Sequence, residues 1–310
     1  SCVKDGQQNC LCGRFSTKKQ LQFSHLLLQK MGLNPQTSRL DVSTHPFTIA
    51  LHPTDVRITT RFEKHLFSCL ASVMHEGGHA LYEQGLPLDF YGTPAGQPLS
   101  LGWHESQSRL WENIIGKNFS FWHYFYPQLQ QFFPTQLKAI DLAQFYRTLN
   151  RVQPSYIRVE ADEVSYCLHV FLRFELENAL INQQLSVADL PAAWNSKMQE
   201  YLNLTPPNMA LGCLQDIHWS MGSIGYFPTY ALGNLYAAQL FAVFCRQHPD
   251  WQRQMQEGIL PGVLHTWLKT NIFQHGRLYS SAELIQKITA EPLNAAYYLR
   301  YLTEKYSAIY

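Results

Sequence analysis

The stretch MHEGGHALYEQG, residues 74–85, contains His-Glu-x-x-His, with glycine at both x positions. On a helix, residues four apart lie about 40° apart around the axis, so His75 and His79 face the same side one turn apart and can grip one ion together. Glu76 adjoins them without sharing their direction. Such a carboxylate is placed to take a proton from water on a metal, not to bind the metal. Two glycines in a helix interior cost about 2 kcal/mol relative to alanine, which tertiary packing or ion binding can offset. Gly78 has a structural use as well. It allows close approach of another helix or of substrate backbone, which a Cβ would block.

Three fixed positions are a short pattern, and a third ligand decides whether they form a metal site. A catalytic zinc takes three protein ligands and keeps one position open. Downstream, GWHESQS opens a helix and offers Glu105, with His104 as the competing candidate. A glutamate there would complete a His₂Glu set, which suits zinc and also cobalt. Zinc lowers the pKa of its water toward about 7, and Glu76 then assists attack of that water on a carbonyl, which is the chemistry of amide hydrolysis.

Outward from this stretch the chain is predicted to be mainly α. Helical spacing of apolar residues runs from Thr17 to Met31, stopped by Gly32 and Pro35. It recurs from Arg61 to Gln84, closed by Gly85 and Pro87, and over Trp103–Ile115 with Gly116 as cap. Further helical segments fall at 138–150, 161–184, 190–202, 231–247, 260–271, 281–289 and 293–308. One region differs. PFTIAL (46–51) and DVRITT (55–60) are β-branched and read as a short antiparallel hairpin just before the HExxH helix. Its exposed edge could pair with an extended peptide through main-chain hydrogen bonds.

Composition narrows the function. Of 310 residues, 46% are hydrophobic, enough for a sizeable core, and 24 Lys+Arg nearly balance 23 Asp+Glu. There is no basic excess to draw nucleic acid or an anionic membrane surface. No apolar run reaches the ~18–20 residues of a membrane span and no signal core opens the chain, so the expected location is cytoplasmic. Seven scattered cysteines suit reduced thiols better than a disulfide frame. Cys2, Cys10 and Cys12 cluster, yet no second Cys or His pair follows at finger spacing. Residues 1–12 read as a poorly defined segment before a domain at 13–310. The first residue is Ser rather than Met, in keeping with the remainder of a longer chain.

HEGGHALYEQG and LGWHESQSRLWEN, with DVRITTRF upstream and IRVEADE, GCLQDIHWSMGSIGYFPTYALGN and YLTEKYSAIY downstream, together resemble the carboxypeptidase Taq family of zinc metallocarboxypeptidases. The resemblance runs from about Gly13 to Tyr310 and corresponds to the C-terminal three fifths of the family's usual length. It implies a multi-helix zincin-like fold and a cytosolic homodimer that releases single C-terminal residues with broad specificity from peptides bearing a free carboxylate. It implies one zinc per chain on His75, His79 and Glu105, with Glu76 as general base. DVRIT matches the family's DxRxT block at Asp55, Arg57 and Thr59. IRVEAD matches IRxxAD at Ile157, Arg158, Ala161 and Asp162. GCLQDIHW matches GxxQDxHW at Gly212, Gln215, Asp216, His218 and Trp219.

Roles follow from chemistry as well. Arg recognises a carboxylate with a planar two-pronged fork, so Arg158 and then Arg57 are the expected binders of the substrate terminus, against the competing reading of ordinary ion pairs with Asp162 and Asp55. The oxyanion needs a donor besides the metal, and His218, Tyr226 and then Tyr230 are the candidates. Gln215 and Asp162 belong to the substrate side, and Asp216 is expected to orient a histidine. His169, in LHVFLRF, is read as packed. The missing N-terminal part is expected to leave apolar stripes exposed. It also motivates the reading of an inert binding or assembly module, and an oligopeptidase that cuts internally is the alternative where a free C-terminal carboxylate is not required.

Overall fold

Leu66–Gly85 forms a helix because its apolar residues Leu66, Leu70, Val73, Met74 and Leu81 recur on one side and are all buried. This computed structural model describes residues 10–310. Its helices among the described residues are α1 (Thr17–Met31), α2 (Leu66–Gly85), α3 (Leu101–Arg109), α4 (Phe119–Phe132), α5 (Pro134–Leu137), α6 (Leu142–Leu149), α7 (Tyr166–Ile181), α8 (Leu190–Leu202), α9 (Pro228–Gln247), α10 (Trp251–Gln256), α11 (Leu260–Asn271), α12 (Ser281–Thr289) and α13 (Ala296–Ser307). The fold is mainly α, as expected.

The sheet has three strands, β1 (Ser38–Val42), β2 (Thr48–His52) and β3 (Asp55–Thr60), in the order β1-β3-β2. The expected antiparallel hairpin is β2–β3, with Thr48 opposite Ile58. β1 adds a parallel partner on the other side of β3 that the sequence did not announce, with Leu40 opposite Ile58. β2 is therefore an edge strand. Val56 and Ile58 on β3 are fully buried, and α2 packs against this strand, against α1 and against α3.

α2 starts later than the pattern predicted. His65 is extended, Leu66 N–H donates to the Leu11 carbonyl at 2.8 Å, and Gly13 N–H donates to the Lys64 carbonyl at 2.9 Å. Pairing with the chain at residues 11–13 thus replaces the first predicted turn. The expected poorly defined segment 1–12 lies outside the described residues over its first nine positions; Leu11 is buried. The predicted helix Trp103–Ile115 also changes character. After Arg109 it widens into a π-helical turn, Leu110–Ile115, and Gly116 ends it at φ −68° without a left-handed cap. π turns of this kind are frequent at functional sites.

By its internal contacts the chain divides into two compact units, one comprising the chain up to Leu149 together with Gly233–Tyr310, the other Asn150–Leu232. The first contains the sheet, α2 and α3. Trp103 stacks on Tyr236 at 4.7 Å in its core, and Tyr82 accepts the Leu99 N–H at 3.0 Å, fixing the approach to α3. The second is centred on Leu172, Leu176, Trp194, Met198 and Leu202. Along α7, Phe171, Phe174 and Ile181 are 46%, 48% and 65% exposed. Cys10, Cys12, Cys69, Cys167, Cys213 and Cys245 are not joined in disulfides among the described residues; Cys2 lies outside them. No helix among the described residues is long and apolar enough to cross a membrane.

Candidate metal centre and active site

Two residues of α2 and one of α3 converge. Glu105 Oε2 lies 3.8 Å from His75 Nε2 and 3.6 Å from His79 Nε2, and the three ligand atoms fall within 4.8 Å of one another. Donors around a tetrahedral zinc, at bond lengths of about 2.0–2.2 Å, stand roughly 3.3–3.5 Å apart. Both Glu105–histidine separations are within a few tenths of an ångström of that spacing, and two imidazoles with one carboxylate are a donor set that suits zinc, so the residues fit such an ion.

The glycines make the convergence possible. A Cβ on Gly78 would lie 2.5 Å from the Gln107 carbonyl oxygen and 2.8 Å from Ser108 Cα, so α2 and α3 touch backbone to backbone beside Glu105. Gly78 therefore serves the approach of another helix. Gly77 faces α1 instead, where a Cβ would meet Leu28 Cδ2 at 2.7 Å and Met31 Cε at 2.9 Å. Gly233 on α9 lies against Glu105 itself, with 2.5 Å from its ideal Cβ to Glu105 Cγ.

A second layer of polar groups aims the three. Arg109 Nε donates to Glu105 Oε1 at 2.6 Å, which leaves Oε2 turned to the histidines. His75 Nδ1 bonds Glu112 Oε2 at 2.8 Å from the π turn. His79 Nδ1 lies 2.5 Å from His104 Nδ1, and His104 Nε2 lies 2.8 Å from Glu83 Oε1. His104 thus stands behind His79, away from the converging atoms, and the group that could hold an ion among the described residues is His75, His79 and Glu105.

Charge accumulates accordingly. Burial pushes the His75 imidazole down, but Glu105, Glu112 and Glu76 outweigh it and lift its pKa to about 9. The same carboxylates favour any cation placed there. His79 is driven well below its usual range by burial, then by His104, His75 and Arg109. Burial would raise Glu112, yet Arg109 and His75 hold it at about 2. Glu76 is raised, chiefly by burial; His75 and the Thr48 hydroxyl oppose this. Thr48 Oγ1, on β2, donates to Glu76 Oε2 at 2.7 Å.

The second unit holds another cluster. Arg158 is 4% exposed; its Nε and Nη2 reach Asp216 Oδ1 at 3.2 and 2.8 Å, its Nη1 donates to the Tyr166 hydroxyl at 2.9 Å, and its guanidinium lies 4.5 Å from the centre of the Tyr230 ring. Arg173 Nε donates to Asp216 Oδ2 at 2.8 Å. Asp216 accordingly binds two arginines, while His218 Nδ1 stands off at 3.9 Å. His218 Nε2 is 3.0 Å from the Tyr230 hydroxyl, and the Tyr226 ring is 5.3 Å from His218. Burial, then Arg158, lowers the His218 pKa.

Other sequence-singled residues lie elsewhere. Arg57 makes a two-pronged pair with Asp55, both bonds 2.9 Å, with its side chain 51% exposed. Thr59 is buried in the sheet, where its Oγ1 accepts the Phe47 N–H at 3.0 Å. Asp162 accepts N–H groups from Val164, Ser165 and Gln153, which organises the entry to α7. It pairs with backbone N–H groups and the Ser165 hydroxyl, while Arg158 pairs with Asp216. Gln215 accepts the Arg158 N–H at 2.8 Å and donates to the Tyr156 carbonyl at 2.9 Å.

The family model for carboxypeptidase Taq (M32) metallopeptidase matches residues 2–306. The chain belongs to this family. It is 42% identical over 297 residues to carboxypeptidase 1 of Bacillus subtilis, covering 96% of this chain and 59% of that one. It is 43% identical to thermostable carboxypeptidase 1 of Thermus thermophilus, covering 96% and 58%. The crystal structure of the M32 carboxypeptidase from Deinococcus radiodurans superposes with a TM-score of 0.95 at 39% identity, over 98% of this chain and 61% of that one. The chain thus spans about three fifths of the length of these carboxypeptidase Taq relatives.

Within this M32 chain, sequence reading missed Thr48, Glu83, Arg109, Glu112, Arg173 and Gly233. Arg109 and Glu112 carried a usable signal: they stand four and seven residues after Glu105, at helical spacing. Thr48, Arg173 and Gly233 carried none, because their partners are distant in sequence.

Proposed function

We propose that this chain is a zinc-dependent metallocarboxypeptidase that removes single residues, with broad specificity, from peptides with a free C-terminal carboxylate. The observation that carries this reading is the convergence of His75 Nε2, His79 Nε2 and Glu105 Oε2 with buried Glu76 alongside. His75, His79 and Glu105 would hold one zinc per chain, and cobalt suits the same donors. The ion supplies Lewis-acid chemistry, polarising the scissile carbonyl and making water acidic. Glu76, fixed at Oε2 by Thr48 and raised in pKa by burial, takes the proton of the attacking water and passes it to the leaving amide nitrogen. Amine and carboxylate products then balance the addition of one water.

Arg158 is the proposed partner of the substrate carboxylate, with Arg57 second. Asp216 keeps the Arg158 fork oriented, Gln215 holds its backbone, and Asp162 shapes the loop that carries it. His218 and Tyr226, then Tyr230, are the proposed donors to the oxyanion. A cytoplasmic location and a homodimeric assembly are proposed with it, as the family membership implies.

A peptide with a free C-terminus and its amidated twin test the reading. Stepwise shortening of the first alone is expected; equal cleavage of both replaces it with an internal-cutting oligopeptidase. Glu76→Gln should retain zinc and lose about 10²–10⁴-fold in turnover. Full activity in that variant removes Glu76 from the base role. The competing reading is an inert binding or assembly module. Metal analysis with thermal melting separates them: one zinc and a sharp transition support the enzyme, and a metal-free, broadly melting chain supports the module.

A further inference from the structure

His75, His79 and Glu83 stand four residues apart in succession on α2, one row along the helix. His104, from α3, inserts its ring beside the lower part of this row. Its Nδ1 meets His79 Nδ1 at 2.5 Å and its Nε2 meets Glu83 Oε1 at 2.8 Å. The side chains of His104 and Glu83 are only 20% and 17% exposed, so the contact is largely shielded from water.

Two imidazole nitrogens this close share one proton, since two lone pairs or two N–H groups would repel. Geometry alone does not say which ring owns it. An ion on His79 Nε2 does: that nitrogen then uses its lone pair for the metal, so the neutral ring carries its proton on Nδ1. His104 Nδ1 must be the acceptor, and the proton of His104 must sit on Nε2, where the Glu83 carboxylate receives the hydrogen bond. Each polar atom along the path then has a partner of the right kind. His75 is held differently, with its Nδ1 directly on the Glu112 carboxylate.

Resting on the metal-site reading above, we propose that His104 is a positioning residue. Through a one-way hydrogen-bond relay, His79 Nδ1–H to His104 to Glu83, it locks His79 in the tautomer and orientation that present Nε2 to the ion. His104 does not touch the metal. It acts through His79, and Glu83 acts through His104. The two ligand histidines are consequently aimed by different devices, a carboxylate for His75 and an imidazole backed by a carboxylate for His79.

Zinc affinity of the full chain, measured by competition with a chromophoric chelator, tests this without relying on turnover. His104→Leu should weaken zinc binding about 10–100-fold, the usual cost of losing a ligand's orienting partner. His104→Asn, whose side-chain oxygen can stand where Nδ1 stood, should recover most of that loss. A purely space-filling role predicts the reverse order, with Leu tolerated better than Asn. On the wild-type chain loaded with zinc, ¹⁵N-histidine NMR should find the shared proton on His79 Nδ1 and that of His104 on Nε2. A proton on His104 Nδ1, or His104→Leu binding zinc like wild type, overturns the relay while leaving the metal site intact. If His79→Ala binds zinc as tightly as wild type, or the wild type binds none, the site itself fails and the relay with it.

Discussion

At the scale of single residues, the two glycines inside HEGGH turn out to be unequal. Their common cost in helix propensity is about 1 kcal/mol each, but what they face differs. An added methyl at Gly78 meets the Gln107 carbonyl and Ser108 Cα, both main-chain atoms of a helix that cannot yield locally. At Gly77 it meets the ends of Leu28 and Met31, which can rotate away. Gly78→Ala is therefore expected to cost about 1–3 kcal/mol through overpacking and to weaken metal binding by moving Glu105. Gly77→Ala should be nearly neutral, since relieved propensity offsets a small repacking. Urea unfolding of the two variants, alongside zinc affinity, measures the contrast, and equal losses would contradict it.

At the scale of elements, α3 and the π turn after it act as a bracket for the site. Glu105 and Arg109 share the α-helical spacing of four, and the wider turn that follows brings Glu112 to both Arg109 and His75. Arg109→Met removes the donor on Glu105 Oε1 and the main cation beside Glu112. Zinc affinity is expected to fall about 10–100-fold with little change in the fold, and unchanged affinity would show that packing alone orients Glu105. Much of this bracket was legible. His75 and His79 follow from spacing within one helix, where local geometry fixes direction, whereas spacing alone left Glu105 and His104 both open as the third ligand. Other elements were not. β1, SRLDV, is short and polar, and only its pairing with β3 makes it a strand. α4 carries aromatics on most sides and Pro127 inside, so neither its period nor its punctuation read as helix. Asp216 was expected to orient a histidine and instead faces two arginines, one of them on α7, a contact no local pattern encodes.

At the scale of the whole molecule, the same long-range contacts set how the fold responds to acid. His169, read from its apolar neighbours as packed, is fully buried on α7. Burial first, then the Arg173 and Arg158 guanidinia, drive its pKa down to about 3. In the unfolded chain it returns to about 6.5. Between those values the unfolded state binds a proton that the folded state refuses, so stability rises with pH across this window. The His169 contribution is thus complete above about pH 6.5 and is withdrawn as pH falls toward 3. The slope is about 1.4 kcal/mol per pH unit, amounting to roughly 4–5 kcal/mol over the whole window. That is large against the 5–15 kcal/mol of an ordinary domain. His169→Gln keeps a polar side chain of similar size and removes the titration. Its unfolding free energy, compared with wild type from pH 8 to pH 4, should differ by a constant above pH 7. Below pH 6.5 the difference should shift steadily in favour of the variant. Curves that stay parallel throughout would mean that His169 takes up its proton in the fold at the same pH as in the unfolded chain, the attraction of Asp216 then offsetting burial and the two arginines.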